Sequence, residues 1–301
     1  MLCPSSSIAD GLVPPATGVV FDPPGIDGTI GSLPYSFMQT FVQPPLSPNF
    51  TVQLNAFISP DPKVSTSLSG ALGANSGFPS ALLLQYYFEA VGGGAQPTPV
   101  SVDFSVAWSV EASPQGQTGV GAYGNADFLL LNGNQSPFTF PAIFAQGYLC
   151  ESSNLGILSP VEQAQMITPS TQCGLGSVLL NATLDTNTLY SFVMYAGAGV
   201  GCGAADCAAS ASSVVDPSIY IDPTTPGAAD YSILLSDGVG NPPPISAPEP
   251  GANGLLLLGM AFVLAIRKRA GEGPSRASQS HWRIVAPSRG LPPHFILRVH
   301  H

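Results

Sequence analysis

The sequence predicts a mainly β protein: an antiparallel β-sandwich or jelly-roll-like body followed by a single short C-terminal transmembrane helix. Three observations predict it. Apolar and polar residues alternate with a period of two over several stretches, as a sheet with one buried face requires. Helix signals are confined to one short segment, and many short strands with almost no helix pack as two sheets face to face. Near the C-terminus an apolar run without periodicity leaves no face for water and must be buried all round. With 301 residues, 45% of them hydrophobic, the chain can bury a full core in one large domain or two small ones.

Residues 1–48 read as an irregular lead-in, rich in Pro, Gly and Ser over 22–48. Residues 1–21 lack the basic patch and apolar core of a secretory leader: either a leader lies upstream of Met1, which is the expectation, or the chain is not exported. The body is expected over 49–237. Along 51–59, Val52, Leu54, Ala56 and Ile58 alternate with Thr51, Gln53, Asn55 and Phe57. Along 81–91, Leu82, Leu84, Tyr86, Phe88 and Ala90 share one face. Along 101–111, Val102, Phe104, Val106, Trp108 and Val110 point inward, and Asp103, Ser105, Ser109 and Glu111 outward. The short loop 92–99 makes an antiparallel hairpin the default for the last two. A shorter strand is expected at 128–131. Strands 178–184 and 189–197 flank the turn residues Asp185, Thr186, Asn187 and Thr188 and read as a second hairpin. Strands 219–222 and 231–235 close the body. The single helix follows Ser159, with Pro160 at the first helical position and Glu162 completing a capping box. A Gly/Ala/Ser-rich loop is expected over 197–213 and a Pro/Gly linker over 238–247.

Charge and histidine content exclude more chemistry than they suggest. The chain carries a net −10, yet every acidic residue but Glu272 precedes Arg267, and before Arg267 the sole cation is Lys63. Such a body cannot neutralise a row of phosphates, so nucleic acid is excluded as its partner. All four histidines, His281, His294, His300 and His301, lie after the apolar run, so the body holds no Ser-His or Cys-His nucleophile pair. No catalytic residue is expected. The remaining enzymatic option is a two-carboxylate glycosidase built on Glu89, Asp103 and Glu111, against the simpler reading that all three face water. Asp216 and Asp222 are the calcium candidates. An EF-hand loop starting at Asp216 would need Gly and Glu where Ile221 and Gly227 stand, so no cofactor is expected, and the Asp-Pro pairs read as turns at the ends of a strand. Of the five cysteines, Cys150 with Cys173 and Cys202 with Cys207 form the simplest local pairing, with Cys3 left over. Two structural disulfides fit an oxidising compartment.

The apolar run is Gly254, Leu255, Leu256, Leu257, Leu258, Gly259, Met260, Ala261, Phe262, Val263, Leu264, Ala265 and Ile266. As a helix it is about 20 Å long, marginal against a hydrocarbon core of roughly 30 Å. Its flanks favour a span. Arg267, Lys268 and Arg269 act as a stop signal on the cytoplasmic side, and Pro248, Glu249 and Pro250 hold the entry side extended. Pro-Glu-Pro, a short apolar helix and an Arg-rich end, in this order over 248–269, resemble the PEP-CTERM sorting signal of Gram-negative envelope proteins. The resemblance implies export, temporary anchoring in the inner membrane with the body in the periplasm, and processing by an exosortase, often beside extracellular polysaccharide. The family's chains normally stop soon after the basic residues. Here a basic tail, 270–301, follows; it reads as a read-through or frameshifted end, or alternatively as a cytoplasmic tail. The expectation is an exported envelope or extracellular-matrix protein with a structural or adhesive role; the alternative is a lectin-like binder or glycosidase on the same sandwich.

Overall fold

In the computed structural model the described residues are 13–21, 28–42, 49–115, 120–152, 159–203 and 205–241, and among them the chain forms fourteen strands and one α-helix. One sheet holds β1 (Thr17–Phe21), β2 (Gly28–Ile30), β6 (Gly77–Gly92), β8 (Val120–Asn132), β9 (Phe144–Glu151), β10 (Ser170–Thr171), β12 (Leu189–Cys202) and β14 (Tyr231–Leu235). Its order is β10-β9-β8-β12-β6-β1-β2, with β14 on β6 as well. The second sheet has the order β11-β7-β13-β5-β4-β3, from β3 (Tyr35–Val42), β4 (Asn49–Phe57), β5 (Lys63–Leu72), β7 (Pro99–Gln115), β11 (Gly174–Asp185) and β13 (Cys207–Ile221). Every pairing is antiparallel except β9 with β10.

The alternation read from the sequence sets the core. Val52, Leu54 and Ala56, the five inward residues of β6 and the five of β7 are all buried between the sheets. Phe104 of the second sheet meets three rings of the first: Phe88 at 5.7 Å, Phe192 at 5.8 Å and Phe144 at 5.1 Å between centroids. The eight-stranded sheet also buries part of its outer face. There Ala81, Leu83, Leu129, Leu131, Val193 and Tyr195 gather around Val161 of α1 (Pro160–Gln165).

Neither expected hairpin forms. Strands β6 and β7 lie in different sheets, as do β11 and β12, so loops 92–99 and 185–188 cross the sandwich instead of turning within a sheet. Alternation tells which face of a strand is buried. It does not tell whether the next strand pairs with its edge or packs on its face. From β5 to β8 and again from β11 to β14 the chain changes sheet at every step. The two crossing loops are stitched together: Thr98 N–H donates to Thr186 Oγ1 (2.9 Å), Thr186 N–H to the Thr98 carbonyl (2.9 Å), and Asn187 Nδ2 to the Gly94 carbonyl (2.9 Å).

Other expectations change at their edges. The irregular lead-in contains β1, β2 and β3, and the strand expected at 128–131 is the thirteen-residue β8. The loop expected over 197–213 is strand on both sides of Cys202 and Cys207, whose disulfide clips the crossing from β12 to β13. Small residues there mark tight packing, not a flexible loop; Ala209 and Ala211 are buried. Asp216-Pro217 lies inside β13, not at a turn. Pairing with β5 ends at Val215, so the N–H that Pro217 lacks faces a vacated edge. Farther along that edge Asn241 takes over, accepting from Ile219 N–H (3.0 Å) and donating to the Ile219 carbonyl (2.5 Å). The first residues of the expected linker, 238–241, therefore belong to the body. Residues 242–301, with the expected transmembrane helix and basic tail, lie outside the described residues.

Candidate functional site

Two carboxyl groups lie fully buried on the outer face of the eight-stranded sheet, where the sequence offers no basic partner. Asp127 belongs to β8 and Glu162 to α1, and both are 0% exposed. The capping box that starts α1 builds the pair. Ser159 Oγ accepts from Glu162 N–H (3.0 Å) and donates to Asp127 Oδ2 (2.5 Å), while Glu162 Oε2 accepts from Ser159 N–H (2.7 Å) and Asn125 Nδ2 (2.9 Å). Asp127 Oδ1 and Glu162 Oε1 are left without a donor. Both hang over Gly147 of β9, where a Cβ would sit 2.7 Å from the first oxygen and 2.8 Å from the second. Two ionised carboxylates this close and this buried repel one another, and a proton held by one of them would let it donate to the other. Burial pushes Asp127 well above the usual carboxylate range, and the neighbouring Glu162 charge pushes it further while the Ser159 hydroxyl pulls it back. Burial also raises Glu162, against donors from Ser159 and Asn125.

This pair locks the helix to the sheet. Gln165 extends the lock by donating through Nε2 to the carbonyls of Pro137 (2.5 Å) and Phe140 (2.7 Å) and accepting from Ala142 N–H (3.0 Å). The excursion that carries α1 is closed by the disulfide Cys150–Cys173, with 4.7 Å between Cα atoms.

Beside the helix start a cleft of about 210 Å³ opens on the same outer face. Phe21, Tyr123, Asn125, Pro160, Gln163 and Tyr195 contribute to its lining. Glycines make room for its rings. The Tyr195 ring covers Gly197, where a Cβ would come within 2.7 Å of it, and the Tyr123 ring covers Gly199, where a Cβ would overlap the ring outright. Phe21 stands 6.2 Å from Tyr195 between ring centroids, with the planes tilted by 47°. Asn125 is 1% exposed; its Nδ2 is spent on Glu162, and its Oδ1 has no hydrogen bond.

Comparison with family models, curated proteins and solved structures gave no match to this chain.

The acids singled out from the sequence are dispersed. Glu89 lies on β6, whereas Asp103 and Glu111 lie on β7 of the other sheet, eight positions and on the order of 27 Å apart along the strand. A glycosidase needs two acids about 5 to 9 Å apart, so this trio does not form one. Asp216 and Asp222 do not converge either. Asp216 pairs with Lys63 at 3.4 Å. Asp222 accepts from Thr224 N–H (2.8 Å) and the Thr224 hydroxyl (2.7 Å), which hold its carboxyl below the usual range. Asn181 Nδ2 joins Asp222 (3.5 Å) to Asp103 (2.7 Å) on the outer face of the second sheet. Among the described residues no group of three or more His, Cys, Asp or Glu side chains is placed to hold a metal ion. Both expected disulfides, Cys150–Cys173 and Cys202–Cys207, are formed and are compatible with an oxidising, exported location.

Among the described residues no helix is long and apolar enough to cross a membrane. The sorting residues Pro248, Glu249 and Pro250, the apolar run 254–266, and Arg267, Lys268 and Arg269 lie outside the described residues. Sequence reading missed the dyad and the cleft. Their signals were an aspartate interrupting the apolar stretch 126–131 and three glycines inside strands, at 147, 197 and 199.

Proposed function

We propose that this chain is an exported, exosortase-sorted protein of the cell envelope or extracellular matrix, with a structural or adhesive role. The carrying observation is the tripartite segment 248–269, Pro-Glu-Pro followed by an apolar run and three cations. The body suits that destination. Its four cysteines are tied in two disulfides, and loops that cross the sandwich are stitched by hydrogen bonds and one of those bridges. A body with one cation, Lys63, stays soluble beside neutral or cationic material and repels polyanions. In this reading the apolar run holds the inner membrane while the exosortase-like enzyme engages the extended Pro248-Glu249-Pro250 segment. An extended segment fixed by two prolines has little entropy to lose on docking. Extracellular polysaccharide is the partner of the released body.

The test is a mass-spectrometric map of both termini of the protein recovered from its native host, alkylated without reduction, beside a variant with Ala at 248, 249 and 250. The expected result is a wild-type C-terminus near Pro250 with linked cysteines, and an unprocessed, membrane-retained variant. A wild-type chain running intact to His301 overturns the sorting reading.

A further inference from the structure

We propose that the cleft between Phe21 and the start of α1 binds one neutral sugar ring, the contact through which the body holds matrix polysaccharide. Three independent features point to a ligand of this class. The first is charge. Among the described residues the lining carries no charged side chain, so none of these residues offers an ionic partner to a guest. The second is the unpaired acceptor. Asn125 is buried, its amide nitrogen is committed to Glu162 Oε2, and its carbonyl oxygen remains unsatisfied. A buried acceptor without a donor is costly, and an O–H group seated at the base of the cleft removes that cost once the Asn125 side chain shifts to meet it. Because Asn125 Nδ2 is committed to Glu162 Oε2, the amide can only accept from a ligand, which must bring the hydrogen. The third is the aromatic wall. Phe21, Tyr123 and Tyr195 contribute to the lining, Phe21 and Tyr123 part-exposed and Tyr195 buried, and the two tyrosines sit over glycines that leave no room for any other side chain beneath. Ring faces of this kind pack against the C–H face of a pyranose while its hydroxyls reach polar groups at the edge.

Volume sets the size of the guest. At about 210 Å³ the cleft is smaller than the roughly 300–1,000 Å³ of pockets for larger organic ligands, so it takes one ring, as at a chain end, and not a length of polymer. Asp127 and Glu162 are buried between α1 and the sheet; Glu162 acts here as a positioning group for Asn125, and neither acts as an acid on the sugar. Only the source of the sugar rests on the matrix reading.

The experiment uses the full chain in detergent micelles and saturation-transfer NMR with glucose, galactose, mannose and N-acetylglucosamine, each followed by titration. The expected result is transfer to at least one sugar with a dissociation constant of about 1 mM or weaker. Phe21→Ala, at a half-buried position that leaves the helix lock untouched, is expected to weaken binding about tenfold. Asn125→Ala, checked for folding by circular dichroism, is expected to abolish the preference among the sugars. No transfer to any of the four sugars, or transfer unchanged in Phe21→Ala, overturns the proposal. Because C-terminal processing is read separately by mass, a correctly processed protein that binds no sugar sinks the cleft proposal and leaves the sorting reading standing.

Discussion

Gly147 has no side chain, and the space a Cβ would take is filled by one oxygen from Asp127 and one from Glu162. That arrangement makes the folded state a proton binder. Both carboxyls are raised by burial, Asp127 also by the Glu162 charge, whereas the unfolded chain releases their protons near pH 4. Over the interval from about pH 4 up through the raised folded values, the folded state binds more protons than the unfolded state, and stability falls as pH rises. Glu89 and Asp216 are raised by burial too and add to the slope in the same direction. Asp127→Asn replaces the protonated acid by a neutral group of the same shape, with Nδ2 able to donate to Glu162. The variant is expected to unfold at a temperature that depends less on pH between about 5 and 8 than the wild type does. Thermal unfolding at a series of pH values measures this, and an unchanged slope would show that the pair does not share a proton.

At the scale of elements, α1 is held by three devices of different kinds: the capping box with its buried dyad, Val161 in the outer apolar cluster, and the Cys150–Cys173 bridge. A helix of six residues has little stability of its own, so its place depends on these ties. Replacing both Cys150 and Cys173 by Ser frees a chain segment of 23 positions and is expected to cost about 3 kcal/mol, read from denaturant unfolding. Amide exchange should quicken first over α1 and β10, while β7 and β13 stay protected. Equal loss of protection in all four would mean that the bridge supports the sandwich and not the helix. The helix itself was legible, because Ser159, Pro160 and Glu162 make a local signal that needs no partner. So were both bridges and the inward faces of β4, β6 and β7, since alternation is set by burial within one strand. Strand partners were not legible. A short loop such as 92–99 or 185–188 permits either a turn within the sheet or a crossing between sheets, and the choice belongs to the whole core. Asp127 was not singled out, because what buries it, α1, arrives from more than thirty positions away along the chain.

For the whole molecule, the path of the chain decides how it comes apart. Strands that follow one another mostly lie in opposite sheets, so each sheet is completed by segments that also build the other. The central pairings of the first sheet, β12 with β6 and β8, join residues as far apart as Tyr190 with Phe88 and with Asn132; those of the second join Ser213 with Val110 and with Thr66. Neither sheet can open alone without exposing the shared core, where Phe104 touches rings on both β6 and β12. Unfolding of the sandwich is therefore expected to be one cooperative step, with the most protected amides of β12 and β13 exchanging through the same global opening. Native-state hydrogen exchange across a denaturant series tests this directly. Amides of the two strands should converge on one line as denaturant rises, and the same line should describe loss of far-ultraviolet dichroism. If β13 opens on a separate, shallower line than β12, the sheets unfold independently, and the alternating path would order the strands without coupling them. Pairings this distant in sequence also close large loops before they gain contacts, which places refolding in the millisecond-to-second range or slower. The two disulfides, by contrast, close short loops, the excursion that carries α1 and the Gly/Ala-rich crossing from β12 to β13, so they restrict the unfolded chain locally and leave the distant strand pairings to the core.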